Sequence, residues 1–191
     1  MLRAGLNPQP ARHVPHASRT AGHEWTPTGL PGAGRARYHG AMDRPVLRPA
    51  VEGDRDAIAA LWHASASLLS VGVPAMPSAA ELRRRLDAEC ARGWEVTVAG
   101  TAGGIAGFLA LRPEDGVLDQ LFLRPDCLGR GIGSLLLAHA KARMPTGFTL
   151  FTRPVNRPAI RFYERHGLAF LRDEVHPHFG DPIRVYGWRG T

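Results

Sequence analysis

An apolar stretch that runs into three alternating glycines and then an amphipathic segment constrains the fold of this chain more than any other feature. Residues 118–143 read LDQLFLRPDCLGRGIGSLLLAHAKAR, which predicts a strand, a glycine loop and a helix in that order. Glycines let a backbone curl with its N–H groups facing inward, and the helix dipole adds positive potential there. The stretch therefore indicates a site for a phosphate-bearing ligand, against the simpler reading that the glycines only allow tight packing.

Two common phosphate-binding patterns do not account for this loop. A nucleotide P-loop requires GxxxxGK(S/T), but the only lysine, Lys141, lies well inside the predicted helix. A dinucleotide fold requires G-x-G-x-x-G and an acidic residue after the next strand, whereas this chain has G-x-G-x-G and Arg153. The first pattern is excluded and the second is poorly matched.

The rest of the chain predicts an α/β fold with the element order βααβββαβαββ. Strands are expected at 46–48, 94–99, 105–111, 116–123, 148–152, 169–172 and 184–188, and helices at 55–69, 79–92, 132–143 and 157–166. Asp54, Ser78 with Glu81, and Asn156 are the expected helix N-caps. Turns at 100–104 and 113–116 make three strands an antiparallel meander, so we expect a mixed, mostly antiparallel central sheet flanked by helices.

Periodicity also predicts which helix faces are buried. The expected apolar face of the first helix consists of Ile58, Leu61, Trp62 and Leu68. That of the helix after the glycine loop consists of Ile132, Leu135, Leu136, His139 or Ala140, and Arg143.

Charge and composition divide the chain in two. Residues 1–41 contain five prolines, six glycines and five arginines without periodicity, which predicts a disordered tail ahead of a folded domain at 42–191. A true translation start at Met42 is a further hypothesis. Two cysteines, Cys90 and Cys127, and the lack of a long apolar run favour a cytoplasmic protein without a disulfide framework or membrane span. Nucleic-acid binding is not expected, because acids partly balance the arginine cluster 83–85.

Two segments carry a resemblance to a known family. The loop resembles the coenzyme A loop of the GNAT superfamily of N-acetyltransferases, Q/R-x-x-G-x-G/A after an apolar strand, although Leu128 stands at the Gln/Arg position. The segment NRPAIRFYERHGLAF resembles the family's N-x-x-A-x-x-x-Y-x-x-x-G-F. The matching residues are Gly131, Gly133, Asn156, Ala159, Tyr163 and Gly167, and the resemblance covers roughly 42–188.

The resemblance implies the acyl-CoA N-acyltransferase (GNAT) fold, in which two central strands splay apart around the pantetheine arm of acetyl-CoA. It implies backbone contacts to that arm from Leu121, Phe122 and Leu123, and a side-chain contact from Asn156. The pyrophosphate would be held by Gly129, Arg130, Gly131, Ile132, Gly133 and Ser134. Tyr163 would sit near the thioester sulfur as the catalytic side chain that donates a hydrogen bond or a proton to the leaving thiolate.

The activity implied is transfer of an acetyl group to a primary amine by direct attack in a ternary complex. Asp119, on the strand beside the reaction centre, is the candidate general base, and His176 or His178 is the alternative. No metal is expected, because no further ligands accompany the H-x-H pair.

The acceptor stays open between a small amine, an amino acid, an antibiotic-like compound and a protein N-terminus. The expected lining of its pocket, Trp62, His63, Leu69, Met76, His176 and Phe179, argues against polycations. A catalytically silent acyl-CoA-binding regulator is the alternative function, and either a monomer or a homodimer is compatible with the sequence.

Overall fold

The computed structural model describes residues 44–177 and 179–190. The tail expected at 1–41, the hypothesis about Met42 and the candidate His178 lie outside the described residues. The strands are β1 (Val46–Pro49), β2 (Glu95–Thr101), β3 (Gly104–Arg112), β4 (Val117–Leu123), β5 (Gly147–Thr152), β6 (Ala169–Val175) and β7 (Pro182–Arg189). The helices are α1 (Arg55–Ala66), α2 (Ala79–Ala91), α3 (Ile132–Arg143) and α4 (Arg157–Arg165).

The seven strands form one sheet in the spatial order β1-β2-β3-β4-β5-β7-β6. Every neighbouring pair is antiparallel except β4 and β5, which are parallel. The predicted mixed, mostly antiparallel sheet flanked by helices is therefore confirmed. No helix within the described ranges combines the length and apolarity needed to cross a bilayer.

Each face of the sheet carries its own core. Along β3, Phe108 packs with α1 and α2, whereas Leu109 packs with α3 and α4. Successive side chains of a strand point to opposite faces, so this alternation places the two helix pairs on opposite sides of the sheet. The strands between them are nearly continuously apolar for the same reason.

Local helix signals were predicted well at two of three N-termini. Ser78 and Glu81 form the expected capping box of α2, and the Asn156 side chain accepts the Ala159 N–H at 3.3 Å to cap α4. Asp54, however, does not cap α1 with its side chain.

The carboxylate of Asp54 is directed to the turn that precedes the helix. It accepts the Val51 N–H at 2.8 Å and pairs with Arg48 at 2.6 Å. The tight turn Glu52–Asp54 brings Asp54 back onto β1, so the residue joins strand to turn. Burial is favourable there because the charge is paired and hydrogen-bonded.

Two expectations about buried helix faces are corrected. α1 ends at Ala66, short of the predicted residue 69, so Leu68 of the expected apolar face lies beyond the helix, where it is half-buried, and Leu69 is 98% exposed. In α3 the buried side consists of Ile132, Gly133, Leu136, Leu137 and Ala140, so Leu135 and Arg143 are not part of it. The small Gly133 is the physical reason: a Cβ there would lie 3.3 Å from the Phe162 ring, so glycine lets that side of α3 approach its neighbours closely.

Candidate active site

The two parallel strands of the sheet, β4 and β5, pair at one end only and then diverge. Val117 and Thr149 are the one register pair between β4 and β5, although both strands are described throughout. A bond from the Thr149 N–H to the Gly116 carbonyl, 2.9 Å, closes this end. The strands therefore diverge toward their C-terminal ends, and a cleft opens between residues 120–122 and 151–153.

A bulge in β4 sits beside that opening. Ala110 of β3 pairs with Gln120 and Leu111 pairs with Leu118, which leaves Asp119 as an extra residue on β4. Such a bulge bends a strand and redirects its side chains, and bulges are frequent beside active sites. Nothing in the residue pattern indicates the bulge, because the apolar run of β4 reads as a regular strand.

The bulge directs Asp119 to three hydrogen-bond donors. Its Oδ2 accepts from Trp94 Nε1 and Arg112 Nε, both at 3.1 Å, and its Oδ1 accepts from Gln120 Nε2 at 2.8 Å. Arg112 also pairs with Glu89 of α2 at 2.5 Å. Asp119 lines the cleft although its side chain is only 10% exposed. Since Oδ1 accepts a single bond within the described residues, it keeps a lone pair for a further donor.

The glycine loop has the backbone geometry expected of an anion site. Gly129 and Gly131 have φ values of 74° and 78°, a region that side-chain-bearing residues rarely adopt. Gly131 is the N-cap of α3, and the first helical bond runs from the Leu135 N–H to the Gly131 carbonyl at 3.1 Å. Within the described ranges, no protein acceptor meets the N–H groups of residues 132–134, and no acid lies in the first turn of α3. These donors are free for an anion.

Three further loop residues differ in what they offer a ligand. Arg130 is exposed, and no ion pair within residues 44–177 and 179–190 engages it. Leu128, at the position where the family pattern has Gln or Arg, is 52% exposed. The hydroxyl of Ser134 lies 2.9 Å from His166 Nε2, so Ser134 has its own partner.

His166 is a loop neighbour that the sequence reasoning missed. Its Nδ1 lies 2.7 Å from the Phe162 carbonyl, which can only accept, so Nδ1 carries the proton. In the neutral ring, Nε2 then accepts from the Ser134 hydroxyl. Ser134 is thus left with its backbone N–H to donate to a ligand. The only available signal was a histidine just before the C-terminal glycine of α4, which is not specific.

Tyr163 of α4 lies in the wall of the cleft with 7% of its surface exposed. Burial raises the pKa of its phenol to about 12, so the group stays neutral across the physiological range. No described residue hydrogen-bonds its hydroxyl. Asn156 lines the same wall and uses its side-chain oxygen to cap α4, which leaves its amide N–H groups for another partner.

The structure brings most of the predicted site residues to one cleft. Its lining includes Asp119, Leu121, Phe122, Asn156 and Tyr163. Leu123 and the glycine loop lie outside that lining. Leu123 follows the lining residue Phe122 on β4, and a Cβ at Gly133 would be 3.5 Å from Leu123 Cδ1.

Four of the six residues expected to line the acceptor pocket line this cleft. Trp62, Met76, His176 and Phe179 line the cleft, whereas His63 and Leu69 do not. His63 follows Trp62 on α1 and is turned about 100° away from it around the helix axis. Leu69 lies beyond the end of α1 and points into solvent. Arg85, Gln120 and Arg153 are lining residues that the sequence did not single out.

Within the described parts of the chain, no group of three or more His, Cys, Asp or Glu side chains could hold a metal ion. His176 instead packs against Phe151 and Phe179, with ring centroids 5.2 and 4.9 Å apart.

Comparisons with known proteins place these features in context. A family model described as the acetyltransferase (GNAT) family matches residues 62–168. Peptidyl-lysine N-acetyltransferase YjaB of Salmonella typhimurium is 39% identical over 70 residues, which are 36% of this chain and 46% of that protein. The matched stretch thus spans less than half of this curated relative.

Solved structures share the fold at low sequence identity. The crystal structure of an acetyltransferase from Thermus thermophilus is similar with a TM-score of 0.63 and 20% identity, over 78% of this chain and 98% of that one. The structure of yncA from Salmonella typhimurium with its cofactor acetyl-CoA is similar with a TM-score of 0.59 and 16% identity, over 77% and 94%.

Proposed function

This chain belongs to the acetyltransferase (GNAT) family, and from that premise we propose that it transfers the acetyl group of acetyl-CoA to the primary amine of a small acceptor. The observation that carries the proposal is the cleft between the diverging strands β4 and β5, with a neutral Tyr163 in its wall and free backbone N–H groups at its adjoining loop. Both substrates bind together, and the amine attacks directly.

The proposed coenzyme site uses main chain more than side chains. The N–H groups at the start of α3 suit a pyrophosphate, because they converge at the positive end of a helix dipole. Binding there is assigned to Gly129, Arg130, Gly131, Ile132, Gly133 and Ser134. The backbone of Leu121, Phe122 and Leu123, on the side of β4 that β5 leaves, pairs with the amides of the pantetheine arm. The free amide N–H groups of Asn156 face the same arm.

The proposed chemistry forms one bond and breaks one. The amine nitrogen bonds to the thioester carbonyl carbon, and the carbon–sulfur bond then breaks to release a thiolate. Tyr163, which is neutral at physiological pH, donates its phenolic proton to that sulfur as the carbon–sulfur bond breaks. The nitrogen loses a proton to Asp119, directly or through water, and that proton returns to Tyr163. The products are the acetylated amine and coenzyme A with a free thiol.

Asp119 suits the proton-accepting role in one respect and resists it in another. It lines the cleft with an Oδ1 lone pair unused by the described residues. Its Oδ2, by contrast, is already engaged by Trp94 and Arg112. The alternative base is His176, which also lines the cleft.

The acceptor class follows from the walls of the cleft. They combine apolar and aromatic side chains with two arginines, and the described lining contains one acidic residue, Asp119, which already pairs with Arg112. A small amine fits this lining better than a polycation. The name of the Salmonella relative makes a peptidyl lysine the competing acceptor, so both classes belong in an activity screen.

Calorimetric titration of the full chain with acetyl-CoA tests the coenzyme site, with NAD as the negative control. We expect saturable binding of acetyl-CoA alone. Gly131→Ala should weaken binding about tenfold, because its φ of 78° places strain on the loop that presents the N–H groups. Gly93→Ala is the matched control, since Gly93 has a φ of 104° and lies in the turn between α2 and β2, away from the loop.

The results separate the candidate functions. Binding of acetyl-CoA with thiol release in the presence of amines supports the enzyme. Binding without release for any acceptor supports the catalytically silent regulator. No binding by a folded protein, or equal loss in both glycine variants, would contradict the assignment of the loop.

A further inference from the structure

The cleft contains one charged side chain that nothing in the described part of the protein neutralises. Arg85 of α2 lies in the cleft wall with its guanidinium 5.2 Å from the centroid of the Trp62 ring. No carboxylate among residues 44–177 and 179–190 pairs with it. Its neighbour on the helix differs: Arg83 forms ion pairs with Asp56 and Asp87.

The other charges of the cleft are compensated in place. Arg153 pairs with Asp181 at 2.5 Å, and both side chains are largely buried. Asp119 pairs with Arg112. Within each of these ion pairs the opposite charges cancel. The charge of Arg85 is therefore an excess positive charge in the cleft lining. Arg85 is itself exposed, so its charge is open to an anion that enters the cleft from solvent.

The position of Arg85 is fixed by a rigid base. Trp62, on which its guanidinium is placed, is buried and packs against Trp94, Phe108 and Phe122 at centroid distances of 5.9, 5.7 and 6.2 Å. Stacking on an aromatic face leaves the edge of a guanidinium free to donate, and that edge matches a carboxylate through two parallel N–H bonds. Arg85 is therefore held ready to bind an oxyanion.

We infer that the acceptor is an amine that also carries a carboxylate and an apolar body, as a small apolar or aromatic amino acid does, and that Arg85 binds the carboxylate. The apolar body suits the walls formed by Val73, Met76, Phe122, Phe151 and Phe179. This inference rests on the proposed acetyl transfer and specifies its substrate class. It also disfavours a lysine side chain within a protein, which has no carboxylate at a fixed place beside the amine.

Matched acceptor pairs test the inference on the full chain. Phenylalanine and 2-phenylethylamine differ in the carboxylate alone, as do leucine and 3-methylbutylamine, and a lysine-containing peptide represents the macromolecular acceptor. Acetyl transfer is followed by release of the coenzyme A thiol. We expect kcat/KM of the wild type to be higher for the carboxylate-bearing member of each pair.

Variants on α2 assign the preference to one residue. In Arg85→Gln the preference for the carboxylate-bearing member should fall about 10- to 100-fold, the loss typical of one charge-assisted hydrogen-bonded pair. Arg84 lies one position away on the same helix and outside the cleft lining. In Arg84→Gln the preference should therefore stay within about twofold of the wild-type value. The comparison of ratios cancels the difference in basicity between the two amines, since each enzyme meets the same pair.

Several results would overturn the inference. The first is an equal decrease in kcat/KM for both members of a pair in Arg85→Gln. The second is a wild-type preference for the amine that lacks a carboxylate. The third is acetyl transfer to the peptide with no transfer to the amino acids. Binding of acetyl-CoA without transfer to any amino acid counts against the substrate class while leaving the coenzyme site intact. Failure to bind acetyl-CoA, measured separately by calorimetry, refutes the proposed function itself and the inference with it.

Discussion

Tyr163→Phe is the substitution that most directly probes the proposed chemistry, because it removes one hydroxyl oxygen and nothing else. The ring is almost fully buried and lies 5.4 Å from the Phe162 ring in an edge-on arrangement that phenylalanine preserves. The hydroxyl has no hydrogen-bond partner among the described residues, so its loss leaves no orphaned donor or acceptor. We therefore expect a change of less than about 1 kcal/mol in the free energy of unfolding at pH 7.

The effect on catalysis should be much larger than the effect on folding. Loss of a positioned general acid typically costs about 10²-fold or more in rate. Because Tyr163 is assigned to protonation of the leaving sulfur and not to binding of the coenzyme, kcat should fall while KM for acetyl-CoA changes little. Steady-state thiol release with saturating amine measures both. A decrease in kcat of less than about twofold would remove Tyr163 from the mechanism.

The burial of the same hydroxyl has a separate consequence at alkaline pH. The pKa of Tyr163 is raised to about 12 in the folded chain, whereas an unfolded tyrosine ionises near 10. Above pH 10 the unfolded state therefore binds fewer protons than the folded state, and the free energy of unfolding falls until pH 12. Between pH 9 and pH 11 the wild type should lose about 1.3 kcal/mol more than Tyr163→Phe.

Urea unfolding at those two pH values measures this difference. Other groups that titrate in the range, including Tyr186, are common to both proteins and cancel in the comparison. Equal losses in the two proteins would refute the burial of the phenol, whatever the kinetics show. The kinetic and the thermodynamic results thus test the acid role and its structural cause independently.

Two further substitutions test the architecture around the site. In Gly107→Ala the new Cβ would lie 2.5 Å from Leu123 Cδ2, so overpacking should lower the free energy of unfolding, measured with urea, by about 1–3 kcal/mol. Gly100→Ala is the control: its Cβ would meet nothing closer than 3.8 Å, so the free energy of unfolding should change by less than about 0.5 kcal/mol. Asp54→Asn removes a carboxylate whose pKa is lowered mainly by its hydrogen bond to Arg48. The wild type should therefore lose stability as the pH falls below about 4, and the variant should lose less. Thermal melts measured across this pH range test the difference, and equal losses in the two proteins would contradict it.

Much of the glycine loop was predictable because its signals are local. Gly129 and Gly131 need positive φ values, and that requirement is visible as glycine at fixed spacing ahead of a helix. The caps at Ser78 and Asn156 were predictable for the same reason, since each involves a partner three residues away. The spacing of apolar residues likewise predicted the strands and helices of a mixed sheet, because an element buried on one face and an element buried on both faces have different apolar patterns.

The lining of the cleft could be predicted only in part. Trp62 and Met76 were identified because they are large apolar residues near the expected cleft. Leu69 was misplaced because nothing in the sequence marks the end of α1 at Ala66. Arg85 was missed because, read in sequence, it is one of three consecutive arginines among balancing acids. Its lack of a partner among the described residues depends on which carboxylates the folded chain brings near it.

By itself, then, the sequence determined the elements, their order and the loop that suits a phosphate, since each is set by contacts within a few residues. The tertiary structure alone decided the divergence of β4 and β5, the bulge that directs Asp119 to Trp94 and Arg112, and the isolation of Arg85 on Trp62. These features depend on strand register and on charges far apart in the chain. Residue spacing predicts neither of them, because strand register and long-range charge pairing depend on how the whole core packs.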